Sequence, residues 1–387
     1  MKTQTRKPQT GPLQGIRILD LTRLLPGPLG TMLMADMGAE VIKIEDPNAP
    51  DYVRVFPPFV GGESVNYLAY NRSKKSMFLD YKSEEGRKIF FELVKTADVI
   101  VEQFRPTYLD KIGLGYEEAK QVNPKIIYVS VTGYGQTGPY SHLAGHDLNY
   151  IAYAGVLGIT GEKDAPPTVP GVQLADIAGG SYMSVIATLS ALHSRTQTGV
   201  GQHVDVSMTD AVMPLLSVSY AIYSATNQAQ NRGTLPLSGG MPNYGVYECQ
   251  DKKYIALGTL EPKFWSKFCD LTNKSDWKMF MVPQNPEQLV SFKNLIGSLF
   301  SEKNQSDWVK FGLENDLLIS PVYGLADLEN DPHLQVRQMI IETEHPTAGK
   351  LKSIGVPLKF SETEAKPSWA APILGEDTEE ILRELGR

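Results

Sequence analysis

Cysteine is scarce in this chain: Cys249 and Cys269 are the only two among 387 residues. Two such residues make neither a disulfide framework nor a CxxC metal spacing, which fits a reducing, cytoplasmic setting. The six histidines are scattered without zinc-ligand spacing, so no metal is implied. Basic charge is not in excess. A net charge of -7 argues against general binding to nucleic acid or a membrane surface. Long hydrophobic runs are also missing. The longest uncharged apolar stretch, 177–192, is too short to span a bilayer and is interrupted by Gly179, Gly180, Ser181, Ser184, Thr188 and Ser190. It reads as a buried helix. Residues 1–10 lack an apolar segment and read as a disordered tail. There is no GxSxG elbow, no P-loop lysine motif and no GxGxxG fingerprint.

What is present is an alternation of strands and helices. The segment 16–21 (IRILDL) reads as a buried strand, 28–37 as a helix stopped at Gly38, and 41–44 as a second strand. Further strands are expected at 76–81, 99–102 and 126–131, with a helix at 83–95 capped by Ser83. This pattern predicts an α/β fold with a largely parallel sheet. Two long helices are expected over 174–196 and 208–225. A loop rich in Gly and Pro over 232–245 then leads to a hairpin, 244–248 with 254–257, and to helices at 262–271 and 286–300. The length favours a large domain and a smaller one. Their expected boundaries are 11–224 for the large domain and 225–320 for the small one. Residues 321–387 form a C-terminal segment that ends in a helix.

Three constellations could carry chemistry. Lys43, Asn71, Arg72, Lys74, Lys75 and Arg105 lie beside predicted strands, where open α/β sheets gather ligands. They suit a ligand with phosphates; alone, such a run is a solvated surface. The loop TGYGQTGP, with Gly133 and Gly135, follows a strand and could bring backbone close to a ligand, or be simply a tight loop. His146 with Asp147, Asp176, and Glu261 each sit where a helix opens, and unpaired N–H groups there stabilise negative charge. Each could equally be only a cap.

Taken together, GPLQGIRILDLTRLLPGPLGTMLMADMGAEVIKIEDP, NRSKKSMFLDYK, VEQFRP, TGYGQTGPY and LGEDTEEIL resemble the class III CoA-transferases and the related 2-methylacyl-CoA racemases. The resemblance runs from Gly11 to Gly386. It implies a ring-shaped chain with a large Rossmann-like domain and a small α+β domain, two copies interlocking as a homodimer. It further implies an acyl-CoA substrate and no cofactor beyond the CoA moiety. Lys43, Arg72, Lys74, Lys75 and Arg105 would hold the CoA phosphates and adenine end. Asp176 would stand where transferases carry a nucleophilic aspartate. GHDLNYIAYAGVLGITG and GTLEPKFW resemble the racemase segments that carry a catalytic His, here His146, and a Glu, here Glu261. On that ground the expected activity is inversion of the α-carbon of a 2-methylacyl-CoA. His146 with Glu261 would serve one face and Asp176 the other, while the Asp147 N–H donates to the thioester oxygen. A CoA-transferase working through an aspartyl-CoA intermediate at Asp176 is the rival. A silent CoA-binding protein is the alternative outside enzymes. The loop LSGGMPNY departs from the racemase pattern at Ser238 and Met241, and the fuller block FPPFVGGESVNYLAYNRSKKS looks more like the transferases.

Overall fold

The computed structural model describes Arg6 and residues 9–387. The chain forms two compact units. The first holds the described residues up to Ala154, then Val172–Pro214 and Asp331–Arg387; the second holds Gly155–Gly171 and Leu215–Asn330. The chain thus leaves the first unit twice and returns twice. Residues 155–171, 215–224 and 321–330 belong to the second unit, which differs from the boundaries expected from sequence.

The first unit is built on β1 (Arg17–Asp20), β2 (Glu40–Glu45), β3 (Lys75–Phe78), β4 (Val99–Glu102), β5 (Ile127–Thr132) and β6 (His203–Ser207). Their order across the sheet is β3-β2-β1-β4-β5-β6, and every pairing is parallel. Chain direction across the sheet reverses between β1 and β4. The loops leaving those two strands therefore diverge, opening a crevice at their C-terminal ends. The unit's helices include α1 (Pro26–Asp36), α2 (Glu84–Thr96), α3 (Tyr116–Val122), α4 (Asp147–Tyr153), α5 (Met183–Thr198), α6 (Met208–Val212) and α7 (Thr378–Glu384). Pro26 opens α1, where its missing N–H costs nothing. The Ser83 hydroxyl caps α2 by accepting from the Gly86 N–H, and Phe90, Leu93 and Val94 form its buried stripe. They pack on Leu19, Ile42, Met77 and Ile100 from the sheet.

Two expectations are corrected here. The helix expected over 208–225 is broken into α6, a 3₁₀ turn at Met213–Leu216 and a second helix at Ser217–Thr226. Pro214 lies at the break, and proline cannot donate to the helical ladder. The tail expected to be disordered is docked where it is described. Arg6 pairs with Glu376 and Asp377, and Gln9 is buried, donating to the Ala35 and Ser73 carbonyls. Residues 1–5, 7 and 8 lie outside the described residues. The hairpin Ile340–His345 with Gly349–Ile354 was not foreseen; it alternates exposed and partly buried positions.

The second unit carries a three-stranded antiparallel sheet in the order Ile319–Pro321, Tyr254–Gly258, Tyr244–Glu248. Helices Pro262–Leu271, Pro286–Phe300 and Gln305–Glu314 cover it. Its own core is aromatic, with Trp265, Phe268, Phe292, Phe300 and Trp308 all buried. Among the described residues, no helix is long and apolar enough to cross a membrane.

Candidate active site

The crevice between the β1 and β4 loops is a pocket of about 530 Å³. Leu24 and Pro26 reach it from the end of β1, Gln103, Phe104 and Arg105 from the end of β4, and Gly133 and Tyr134 from the end of β5. His146, Asn149 and Tyr150 of the α4 opening and Asp176 complete its wall. Leu24 holds a left-handed backbone, φ 61, which a branched side chain adopts only under constraint. Its N–H is tied to Asp51 Oδ1 at 3.1 Å.

Asp176 sits at the second position of a π-helical segment, Ala175–Tyr182, that runs directly into α5. Such wide turns are rare and concentrate at functional sites. Asp147, the first residue of α4, anchors this turn: its Oδ1 accepts the Ala175 N–H at 2.6 Å and the Asp176 N–H at 3.0 Å. Among the described residues no cation pairs with the Asp176 carboxylate. Burial, with the Asp147 charge adding to it, pushes Asp176 up to about 7. An ionised Asp176 therefore stands in a partly dry pocket with no described cation to neutralise it. His146 is the exposed N-cap of α4, its N–H bound to Asn149 Oδ1 at 3.0 Å.

Close backbone approach shapes the other wall. Added Cβ atoms at Gly133 and Gly145 would fall 2.3 and 2.6 Å from Tyr150 Cε1, so both glycines make room for that ring. The Tyr150 hydroxyl donates to the Gly145 carbonyl. Tyr134 packs edge-on against Tyr150, with centroids 5.2 Å apart. Gly135 does not line the pocket. It turns the loop at φ 83, and its N–H is held by Thr132 Oγ1.

The basic cluster expected to hold phosphates is corrected by its burial. Lys43, Asn71 and Lys74 have no exposed surface, and Arg72 and Lys75 are also buried. Lys43 meets Asp51 at 3.0 Å, Lys74 meets Asp20 at 2.9 Å and Asn71 Oδ1 at 2.8 Å, and Arg72 meets Asp36 at 2.8 Å. Lys75 pairs with Glu40 and Glu380. Burial opposes ionisation of Asp20, but the Lys74 and Lys43 ammonium groups outweigh it and hold its carboxyl low. Their charges serve an internal network beneath the strand ends. Of the cations singled out, Arg105 alone lines the pocket; it is exposed and has no carboxylate partner among the described residues, its guanidinium donating to the His142 carbonyl at 3.4 Å. Glu261 belongs to the second unit, as the exposed N-cap of Pro262–Leu271, and its side chain makes no cap bond.

Sequence reasoning thus named His146, Asp147, Asp176, Arg105 and Gly133 at or beside the pocket. It missed Leu24, Gln103, Phe104 and Tyr150. All four lie inside blocks that carry the resemblance, Leu24 in the opening block, Gln103 and Phe104 in VEQFRP and Tyr150 in GHDLNYIAYAGVLGITG, but no local pattern marks them as lining a pocket. Among the described residues no group of His, Cys, Asp and Glu could hold a metal ion.

Comparison with known proteins bears on this geometry. The family model of CoA-transferase family III matches residues 13–378. Succinyl-CoA:glutarate CoA-transferase of Homo sapiens is 35% identical over 385 residues, covering 97% of this chain and 86% of the relative. Alpha-methylacyl-CoA racemase of Homo sapiens is 33% identical over 378 residues, covering 97% of this chain and 93% of the relative. The crystal structure of a CAIB/BAIF family protein from Brucella suis superimposes with a TM-score of 0.85 at 32% identity, covering 97% of this chain and 100% of that one. With its six-stranded parallel sheet, small antiparallel sheets and near-complete match to the family model, the chain belongs to CoA-transferase family III and is an enzyme of that family.

Proposed function

We propose that the enzyme transfers CoA between carboxylic acids, with Asp176 as the nucleophile. The observation that carries this reading is the Asp176 carboxylate itself, half-buried in the pocket with no counter-ion among the described residues. A carboxylate that has already lost much of its hydration gives up less of it on attack. Asp176 attacks the thioester carbonyl of the donor, forming a mixed anhydride and releasing the CoA thiolate. The thiolate attacks the aspartyl carbonyl, giving an aspartyl-CoA thioester and the free donor acid. The acceptor carboxylate then repeats the two steps in reverse, leaving as its CoA thioester and restoring Asp176. Arg105 meets a CoA phosphate at the pocket rim.

The segments around His146 and Glu261 favour the racemase on sequence. The lone carboxylate and the succinyl-CoA:glutarate CoA-transferase relative favour the transferase. One observation keeps racemisation as the second reading: His146 and Asp176 line the same pocket, as two bases would. Hydroxylamine added during turnover separates them. The transferase requires an acceptor acid and is inactivated by modification at Asp176, located by peptide mass mapping. A racemase exchanges the α-hydrogen of a single epimer in deuterated water with no acceptor, and leaves Asp176 unmodified.

The active form is a homodimer. Its support is the helix Ser217–Thr226, which has no buried residue although it carries Val218, Tyr220, Ile222 and Tyr223. A helix that apolar requires a covering surface, and a second copy supplies it.

A further inference from the structure

Behind the Gln103–Arg105 turn lies a second cavity of about 160 Å³, and Arg105 and Pro106 line both it and the larger pocket. Its wall holds Glu102, Ser130, His203 and Gln136. Glu102 ends β4 and is opposite Ser130 of β5 in the parallel register. The Ser130 hydroxyl faces two ionisable groups: Ser130 holds the strand position opposite Glu102, and its Oγ is 2.9 Å from His203 Nε2 of β6. Glu102 and Ser130 are buried. On its other side Glu102 Oε2 accepts the Phe104 N–H at 2.7 Å. The next residue back, Gln103, accepts the Gly27 N–H of α1 at 2.9 Å. The turn that presents Arg105 is therefore stitched at one end to α1 and at the other to a single buried carboxyl.

We propose that Glu102 is a positioning residue, and that Glu102, Ser130 and His203 form a proton-linked hydrogen-bond chain that sets how firmly the Phe104–Arg105 turn is held for the ligand. This rests on the reading that Arg105 meets the CoA phosphates. With Glu102 ionised, Ser130 donates to the carboxylate and accepts from the His203 Nε2–H, while Phe104 makes a charge-assisted bond to Oε2. With Glu102 protonated, its O–H donates to Ser130, Ser130 donates to an unprotonated Nε2, and Phe104 is left with a weaker neutral acceptor. The proton on Glu102 thus reverses the chain and loosens the turn. The groups facing it are Arg105 on the turn, Tyr108 and Asp110 on the segment after it, Tyr116 and Glu117 of α3, Tyr128 on β5, and His203 and Asp205 on β6. Burial, followed by the Asp110 and Asp205 charges, raises Glu102 to about 7 against the bonds from Ser130 and Phe104. Burial likewise lowers His203, against the pull of Asp205, Asp110 and Glu117.

Calorimetry with free CoA tests the chain, in an Asp176→Asn background that removes the other carboxyl titrating near neutrality. The parent should bind CoA roughly three- to tenfold more weakly at about pH 6 than at about pH 8. Adding Glu102→Gln, which keeps the shape but leaves Phe104 only a neutral acceptor, should hold the weaker affinity at both pH values and flatten that dependence. Titration of CoA itself is common to both proteins and cancels in the comparison. An unaltered pH dependence in Glu102→Gln overturns the chain while leaving the CoA site standing. If Arg105→Ala binds CoA as the parent does at both pH values, the CoA reading of this rim fails and the proposal with it. A second measurement uses the unmutated protein. The Phe104 amide resonance should shift with pH near neutrality as Glu102 ionises; a resonance that does not move over that range overturns the proposal.

Discussion

An ionised Asp176 is unfavourable where it stands, and the protein carries that cost in its stability. Its carboxyl is held up at about 7 in the folded chain by burial and the Asp147 charge, against about 4 when unfolded. The folded state therefore binds this proton more tightly. Stability is greatest below both values, falls as the pH rises through that window, and is level above it. Asp176→Asn removes the penalty. In thermal melts it should be more stable than the parent at about pH 8, by on the order of 1–3 kcal/mol, with the difference vanishing toward about pH 4. A variant that melts lower than the parent at the higher pH counts against an uncompensated carboxylate. Its turnover should be lost at every pH, while the parent's turnover rises through about pH 7 as Asp176 ionises. The basic residues teach the opposite lesson at this scale. Their charge was legible in the sequence, but their partners Asp20, Asp36 and Asp51 come from other segments, and so the network was not.

Among the elements, the loop after β5 and the opening of α4 are built around one tyrosine. Tyr150 is pinned between Gly133, Gly145 and Tyr134, so its ring has little room to yield. Gly133→Ala should overpack this wall and destabilise by about 1–3 kcal/mol, with a larger loss in turnover than in CoA affinity. Adding Tyr150→Ala should relieve the clash, so the double variant should melt above the sum of the single effects. Strict additivity in melting experiments would mean that the two residues do not press on each other. Elements with a strong local signal were readable: β1, β2, α2 and the hairpin of the second unit all lie where periodicity and caps put them. The π-helical turn under Asp176 was not, because its wide winding is held by the Asp147 carboxylate from another segment.

For the whole molecule, the exposed apolar helix Ser217–Thr226 leads to the third expectation. Sedimentation should find a dimer, and Tyr220→Glu should weaken it and lower turnover in parallel, since Tyr220 is 64% exposed and no described ion pair awaits a charge there. A fully active monomer sinks the dimeric reading. Fold class was legible in the chain alone, because alternating strand and helix signals are local, and parallel strands joined by helices have few ways to wind. So was the family, since several matching blocks together outweigh any single motif. Where the ligand crevice lies emerged with the folded sheet, because strand order is a property of pairing between distant segments. Burial was decided at the same level. Whether a lysine faces a phosphate or an aspartate depends on which remote chain segment packs against it, and nothing in its own neighbourhood carries that information.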